Sequence, residues 1–287
     1  MPHTHYTTLI SATNLAERLA AAPGSILVFD CRFDLAAPES GEAAYAQGHI
    51  PGAHYLHLDR DLSGVKTGTN GRHPLPERTA LVTKLASFGL NEGQQVVAYD
   101  AHGGMYAARL WWMLRWVGHG AVAVLDGGLP AWQAAGQPVV TDAPAPRARG
   151  SIASRPALVT TVDVNAILHN VEHGGKTIVD ARAPDRFRGE NETIDPVGGH
   201  IPGAQNRFFK DNLQPDGRFK TPEQLKAELG AAVGDARDAI MQCGSGVTAC
   251  HNLLALEVAG MPGAALYPGS WSEWTADPQR AVATGTA

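Results

Sequence analysis

The feature that most constrains the fold is an internal repeat. The hexapeptide Gly-His-Ile-Pro-Gly-Ala occurs identically at residues 48–53 and 199–204. The matching segments are spaced by about 140 to 150 residues, far more than the period of a solenoid. The sequence therefore predicts two copies of one domain. Three further segment pairs keep the same order: 28–32 with 178–182, 97–100 with 240–243, and 127–132 with 269–274.

The boundary between the copies is expected in a stretch without apolar periodicity. Residues 138–156 contain several Pro and Gly residues, which is typical of an extended linker. We place the first copy at residues 1–140, the linker at 141–156 and the second copy at 157–287. A length of 287 residues suits two domains, since a domain averages roughly 150 residues.

Within each copy, short β-rich segments alternate with helical patterns. This alternation predicts an α/β fold in which a mostly parallel sheet is flanked by helices. In such sheets ligands bind at the carboxyl ends of strands, where the sequence places Cys243. In the second copy we expect strands at 176–180, 239–242 and 264–267. We also expect three helices: one capped by Thr161, one that begins at a Thr221/Gln224 capping box, and one at 247–259.

Composition and charge exclude several classes of protein. The chain has 23 Lys and Arg against 28 Asp and Glu, without long runs of one sign, so neither nucleic acid nor a membrane surface is an expected partner. Three cysteines without a Cys-x-x-Cys pair predict neither a disulfide framework nor a bound metal. No clean apolar stretch reaches about 18 residues, so no membrane span is expected. We therefore expect a cytoplasmic protein in a reducing environment.

Cys243 is the candidate nucleophile. It opens the loop Cys-Gly-Ser-Gly-Val-Thr at residues 243–248, between a predicted buried strand and a predicted helix. The two glycines let successive N–H groups turn inward into an anion cradle, and the helix N-terminus adds partial positive charge. Such a setting favours the thiolate, and the cradle would also hold a persulfide anion. The amides expected to steady this charge belong to Gly244, Gly246, Val247 and Thr248.

Other motifs offer weaker interpretations. A cysteine phosphatase needs an arginine six positions after the nucleophile, where this chain has Ala249. The glycines of residues 244–249 loosely match a dinucleotide fingerprint, but no acidic residue ends the next strand. Residues 169–173 match a zinc-peptidase pattern by spelling, without an evident third ligand. Cys31 and Cys250 lack the glycine cradle and are interpreted as packing residues.

The ordered set of motifs resembles the two-domain rhodanese family. The resemblance covers nearly the whole chain, including both hexapeptides and the 269–274 segment, and the Cys243 loop is similar to that of the 3-mercaptopyruvate sulfurtransferases. It implies two tandem rhodanese-like domains and an enzyme that moves sulfane sulfur from 3-mercaptopyruvate to a thiol or cyanide through a Cys243 persulfide. A thiosulfate sulfurtransferase and a non-catalytic rhodanese-like binding module are the alternatives.

The resemblance also separates the roles of the two copies. In the family only the C-terminal copy keeps the nucleophile, and here Asp100 stands at the corresponding position of the first copy. A carboxylate cannot carry sulfane sulfur, so the first copy is expected to be a structural and substrate-shaping domain. No cofactor is expected, because sulfur itself is the transferred group.

A proton relay carries over from the family to three residues. The family pairs a loop serine with a histidine and an aspartate, which match Ser245, His73 and Asp59. Expelling pyruvate as its enolate needs a proton or a hydrogen bond on the carbonyl oxygen, and such a relay supplies it. These residues are therefore expected to assist catalysis.

Arg186 matches the arginine with which the family binds substrate, and a guanidinium grips a carboxylate through two hydrogen bonds. Animal mercaptopyruvate enzymes carry a second arginine before the second hexapeptide, and this chain has none there; Arg188 is a possible substitute. The loop after Cys243 is uncharged, which suits a monoanionic 2-oxo acid better than thiosulfate. Thioredoxin, a small thiol or cyanide is the expected acceptor.

Overall fold

In a computed structural model that describes residues 5–286, the chain forms two compact units. The first contains the residues up to Ser63 together with Pro76–Leu158 and Pro215–Phe219. The second contains Gly64–Leu75, Val159–Gln214 and the residues from Lys220 onward. A short stretch of the N-terminal half, Gly64–Leu75, is therefore part of the second unit.

The first unit is built on a parallel sheet of five strands among the described residues, in the order β1-β5-β4-β2-β3. Its strands are β1 (Leu9–Ile10), β2 (Ile26–Asp30), β3 (His54–Tyr55), β4 (Gln95–Tyr99) and β5 (Val122–Leu125). Its helices are α1 (Ala12–Ala21), α2 (Ser40–Gln47), α3 (Leu58–Asp61), α4 (Arg78–Ser87), α5 (Ala107–Trp116) and α6 (Gly128–Ala134).

The second unit repeats this topology. Its described strands pair in parallel in the order β6-β10-β9-β7-β8. The strands are β6 (Thr160–Thr161), β7 (Thr177–Asp180), β8 (Gln205–Asn206), β9 (Ala239–Gln242) and β10 (Ala265–Leu266). The helices are α7 (Val164–His173), α8 (Pro184–Arg188), α9 (Pro222–Val233), α10 (Ala249–Val258) and α11 (Ser270–Trp274), with 3₁₀ turns at Phe209–Asn212 and Ala236–Asp238.

The central strands are buried along their whole length. Every residue of β2 and β4 is buried, as is every residue of β9. Successive side chains of a strand point to opposite faces of the sheet, so a strand with every residue buried is covered on both faces. This is the usual state of parallel sheets. The predicted α/β fold with two parallel sheets is confirmed.

The repeated hexapeptide has the same structural role in each unit. In the first unit a buried Asp30–Arg32 ion pair holds it, because Arg32 Nη2 donates to the carbonyl of Gly48 at 2.7 Å. The second unit repeats this contact at 2.6 Å with Asp180, Arg182 and Gly199. The histidine that follows forms an isolated antiparallel bridge in both units, His49 to Val140 and His200 to Ala283. The hexapeptide is thus a packing element.

The predicted helix starts are partly correct. The Thr221/Gln224 capping box is confirmed at the start of α9. The predicted cap at Thr161 is wrong, because Thr161 pairs with β10 as an edge strand and the Asp163 side chain accepts the N–H of Ala166 instead. The helix after Cys243 begins at Ala249, two residues later than predicted. Over the described residues, none of the helices combines the length and apolar character that crossing a membrane requires.

Candidate active site

Cys243 lies directly after β9, at the carboxyl end of a central strand of the second unit. Its backbone is anchored by the residues that begin α11. The Cys243 N–H donates to Ser270 Oγ at 3.1 Å, and the Cys243 carbonyl accepts the N–H of Trp271 at 2.9 Å. The Gly244 carbonyl accepts the N–H of Ser272 at 2.9 Å. The nucleophile loop is therefore fixed to the first residues of α11 by three hydrogen bonds.

The loop curls around the sulfur atom of Cys243. Gly246 donates its N–H to Cys243 Sγ at 3.1 Å, and its φ of +75° is one that glycine adopts readily. A Cβ at Gly246 would approach the Pro268 carbonyl oxygen to 2.3 Å, so a side chain cannot be placed there. The predicted residues Gly244, Val247 and Thr248 lie in the same loop, and Thr248 immediately precedes α10.

Ser245 and His73 are brought together although 172 residues separate them in sequence. A hydrogen bond of 2.7 Å joins Ser245 Oγ and His73 Nδ1, and both residues are buried. His73 reaches this position because it belongs to Gly64–Leu75, which clusters with the second unit. Burial strengthens such a bond, because water cannot compete for either partner.

Arg186 is held in place by two buried carboxylates. Its Nε and Nη2 donate to the two oxygens of Glu192 at 3.0 and 2.9 Å, and Nη2 also donates to Asp195 at 3.1 Å. The side chains of Glu192 and Asp195 are each only 3% exposed. Hydrogen bonds from Arg186 and two backbone N–H groups outweigh the opposing effect of burial and lower the pKa of Glu192 from its ordinary value. The guanidinium is therefore preorganised.

Sequence reasoning missed Arg72 and the acidic pair that orients the arginines. Arg72 Nη1 donates to Asp195 at 2.5 Å, and Arg72 Nη2 lies 3.0 Å from the position that a Cβ on Gly244 would occupy. The available signal is weak: Arg72 precedes His73, and Asp195 lies in the segment before the second hexapeptide. Neither position belongs to a recognisable motif by itself.

Arg188 and Asp59 are the remaining predicted site residues. Arg188 binds Glu190 through Nε and Nη2 at 2.8 and 2.7 Å, on a partly exposed surface. Asp59 lies in α3 of the first unit, where its N–H donates to His57 Nδ1 at 3.1 Å. Among the described residues, the hydrogen bonds of the Arg188 side chain go to Glu190, and none of them reaches the Cys243 loop.

The other cysteines have different environments. Burial, followed by the nearby carboxylates of Asp30, Asp100 and Asp61, raises the pKa of the Cys31 thiol well above its ordinary value. Cys250 lies in α10, where its Sγ donates to the Gly246 carbonyl at 3.3 Å. A thiolate is the reactive form of cysteine, so Cys31 is poorly suited to attack a sulfur donor.

The fold and the site define a class: a protein of two α/β units, with a cysteine on a strand-end loop of the second. A model of the rhodanese-like domain matches residues 11–135 and again 163–277. The chain therefore belongs to the rhodanese-like family, and carries two such domains. The predicted two-domain rhodanese architecture is confirmed.

Relatives over nearly the full length carry two kinds of name. A Pseudomonas aeruginosa protein named "Probable 3-mercaptopyruvate sulfurtransferase" is 48% identical, over 96% of this chain and 98% of its own length. The Bos taurus thiosulfate sulfurtransferase is 34% identical, over 98% and 96%. The crystal structure of SseA from Escherichia coli, titled as a 3-mercaptopyruvate sulfotransferase, superposes with a TM-score of 0.78 at 31% identity, covering 93% of this chain and 99% of that one.

Proposed function

We propose that the protein is a sulfurtransferase that takes sulfane sulfur from 3-mercaptopyruvate and passes it to a thiol. The observation that carries the proposal is the Cys243 loop: a strand-end cysteine whose sulfur accepts a backbone N–H, beside the buried Ser245–His73 pair. Full-length relatives named as sulfurtransferases support it. The intact nucleophile argues against the alternative of a non-catalytic binding module.

The proposed first half-reaction balances without a cofactor. The Cys243 thiolate attacks the sulfur of 3-mercaptopyruvate, and a new S–S bond forms as the C–S bond breaks. The electron pair of the C–S bond leaves with carbon as the enolate of pyruvate. That enolate takes up one proton to become pyruvate, and the enzyme is left as the Cys243 persulfide. An acceptor thiolate, for which we propose thioredoxin or a small thiol, then attacks the outer sulfur and regenerates the thiolate.

We assign the proton to the Ser245–His73 pair. Its 2.7 Å hydrogen bond couples a loop hydroxyl to an imidazole, so the serine can donate to the developing enolate oxygen while the histidine replaces that proton. Asp59 remains a proposal from the family resemblance, as the acceptor that orients His73. Gly246 N–H, already on the sulfur, steadies negative charge on the persulfide.

The choice of donor follows from the charges around the loop. Residues 244–246 carry no charged side chain. Of the predicted site residues, the cation beside this loop is Arg186, whose Nη2 lies 3.7 Å from the Cβ position of Gly244. Its charge is already opposed by Glu192 and Asp195. A monoanionic 2-oxo acid can use the guanidinium hydrogen bonds, whereas the thiosulfate dianion would meet those carboxylates. Thiosulfate is the second candidate donor, supported by the bovine relative's name.

Steady-state kinetics with both donors test the proposal. Cyanide is used as acceptor, and kcat/KM is measured for the wild type, Cys243→Ser and the matched control Cys31→Ala, which removes a cysteine of the first unit. We expect 3-mercaptopyruvate to be preferred by about tenfold or more, with Cys31→Ala active and Cys243→Ser inactive. A thiosulfate preference of the same size would replace the donor, and inactivity of the wild type with both would favour the binding module.

A further inference from the structure

The residue after the nucleophile is flanked by two arginines. A Cβ built on Gly244 would lie 3.0 Å from Arg72 Nη2 and 3.7 Å from Arg186 Nη2. Asp195 joins the two side chains, since its Oδ1 accepts from Arg72 Nη1 at 2.5 Å and its Oδ2 accepts from Arg186 Nη2 at 3.1 Å. One buried carboxylate thus holds two guanidinium groups side by side over the first glycine of the Cys243 loop.

Arg72 keeps hydrogen-bonding capacity that Arg186 has largely used. Arg186 donates from Nε and Nη2 to Glu192 and Asp195. Among the described residues, the Arg72 side chain donates one hydrogen bond, from Nη1, and its buried Nε has no hydrogen-bond partner. Nη2, the atom closest to Gly244, also makes no hydrogen bond among them. Arg72 therefore has donors to offer to a bound anion.

The backbone of Arg72 is fixed to α11, the helix whose first residues anchor the nucleophile. The Arg72 N–H donates to Ser272 Oγ at 2.9 Å. Gly71 packs so closely that a Cβ there would approach the Gly269 carbonyl oxygen to 2.7 Å. Residues 270–272 also hold the backbone of Cys243 and Gly244. Arg72 and the nucleophile thus share one anchor, and this defines the position of the guanidinium relative to the sulfur.

We infer that Arg72 is the second cation of the donor site and binds the substrate carboxylate next to Arg186. The inference rests on the proposed function, and it identifies the residue that substitutes for an arginine absent before the second hexapeptide. Because Glu192 and Asp195 already oppose the two cations, binding depends on directed N–H donors more than on net charge. A flat monoanionic carboxylate fits such donors, and a second negative charge is disfavoured.

The test compares two donors that differ in one group. Mercaptoacetone keeps the reactive thiol and ketone of 3-mercaptopyruvate but lacks its carboxylate. Arg72→Met is expected to raise KM for 3-mercaptopyruvate by about tenfold or more, because a charge-assisted hydrogen bond is lost, while kcat changes little. kcat/KM for mercaptoacetone should stay within about twofold of the wild type. Arg72→Lys should recover part of the loss for 3-mercaptopyruvate.

Two controls define the outcomes. Arg237→Met removes a highly exposed arginine that is paired with Asp235, and it should change neither donor. Arg72→Gln, which keeps a hydrogen-bond donor for Asp195, carries the comparison if Arg72→Met does not fold. If the Arg72 variants lose activity equally with both donors, or lose none with either, the role of Arg72 is overturned. It is also overturned if Arg188→Met raises KM for 3-mercaptopyruvate and the Arg72 variants do not. A wild type that transfers sulfur from neither donor would instead overturn the proposed function.

Discussion

The two units place very different groups at the same point of the same fold. In the first unit the strand β4 is followed by Asp100, whose carboxylate accepts four backbone N–H bonds. Oδ1 accepts from His102 and Gly104 at 2.8 and 3.0 Å, and Oδ2 accepts from Tyr106 and Ala107 at 2.7 and 3.0 Å. The loop is an anion cradle that the protein fills with its own carboxylate.

In the second unit the corresponding strand ends at Cys243, whose sulfur accepts the single described N–H bond from Gly246. The comparison shows that the backbone curl belongs to the fold, since glycines at φ +71° (Gly103) and +75° (Gly246) occupy the third position after each strand-end residue. The side chain at the first position determines what the cradle holds. The Asp100 carboxylate accepts four described N–H groups, whereas the Cys243 sulfur accepts one.

A second difference lies at the start of the helix that supports each cradle, α6 in the first unit and α11 in the second. The first unit has Gly128 at φ +59°, where a Cβ would lie 2.2 Å from the Asp100 carbonyl oxygen. The matching residue of the second unit is Ser270, which is buried and keeps a φ of +56°. A non-glycine residue in this conformation costs on the order of 1 kcal/mol or more. Its hydroxyl accepts the Cys243 N–H and donates to the Tyr267 carbonyl, which offsets the strain.

The largest effect is expected from making the second cradle resemble the first. Cys243→Asp places a carboxylate where the sulfur stands, and we expect sulfur transfer to fall by about 10³-fold or more, because the nucleophile is gone. Residual turnover is measured with 3-mercaptopyruvate and cyanide, with far-UV circular dichroism as the folding control. Substantial activity in Cys243→Asp would mean that another cysteine carries the sulfur.

A smaller but still large effect is expected from removing the histidine that binds the Cys243 loop. His73 binds Ser245, the second residue after Cys243. In the first unit, the second residue after Asp100 is the exposed His102. We expect His73→Ala to lower kcat for 3-mercaptopyruvate by about 10²-fold or more, because general acid–base assistance is lost. Thiosulfate turnover should fall less, since sulfite leaves without a proton. Equal losses for the two donors would contradict the relay.

Exchanging the supporting residues tests the comparison of the two loops directly. Ser270→Gly removes the acceptor of the Cys243 N–H, and we expect kcat/KM to fall by about tenfold. The free energy of unfolding should fall by no more than about 2 kcal/mol, because relief of backbone strain compensates for the lost hydrogen bond. The reverse change, Gly128→Ser, should destabilise the protein by about 2 kcal/mol or more, through the clash with Asp100. Urea unfolding and donor kinetics measure both variants. Loss of stability without loss of activity in Ser270→Gly would show that the serine is structural only.

The smallest effect concerns pH and Glu192, whose carboxylate accepts two hydrogen bonds from Arg186. The pKa of Glu192 is lowered in the folded protein, so its ionised form stabilises the fold at pH values above its ordinary pKa of 4.5. That contribution is lost as the pH falls through the depressed value. Glu192→Gln should therefore show a shallower loss of stability below about pH 4.5 than the wild type, as measured by urea unfolding at several pH values. Parallel curves would contradict the assignment.

Local patterns predicted much of this molecule. Parallel sheets and a cysteine at a strand end follow from hydrophobic runs and turn residues, which are local properties, and the two copies follow from the repeated segments. The capping box at Thr221 was equally readable, whereas Thr161 was misassigned because pairing with β10 overrides the capping tendency of a threonine. Edge-strand pairing depends on a partner more than 100 residues away along the chain.

The residues that complete the site could not be predicted in the same way. Ser245 and His73 were paired by resemblance to a family, since no local pattern indicates a contact between two positions 172 apart in the sequence. Arg72 escaped notice because its role depends on Asp195 and on the absence of a side chain at Gly244, both distant in sequence. Long-range ion pairs of this kind leave no periodic signal.

The most direct test of the central claim is the intact mass of the protein after incubation with 3-mercaptopyruvate and removal of excess donor, followed by peptide mapping. The account predicts an adduct of about 32 Da, one sulfur atom, on Cys243. It should be absent from Cys243→Ser and should disappear when a thiol acceptor is added. An unmodified Cys243 in a protein that still releases pyruvate would contradict the account.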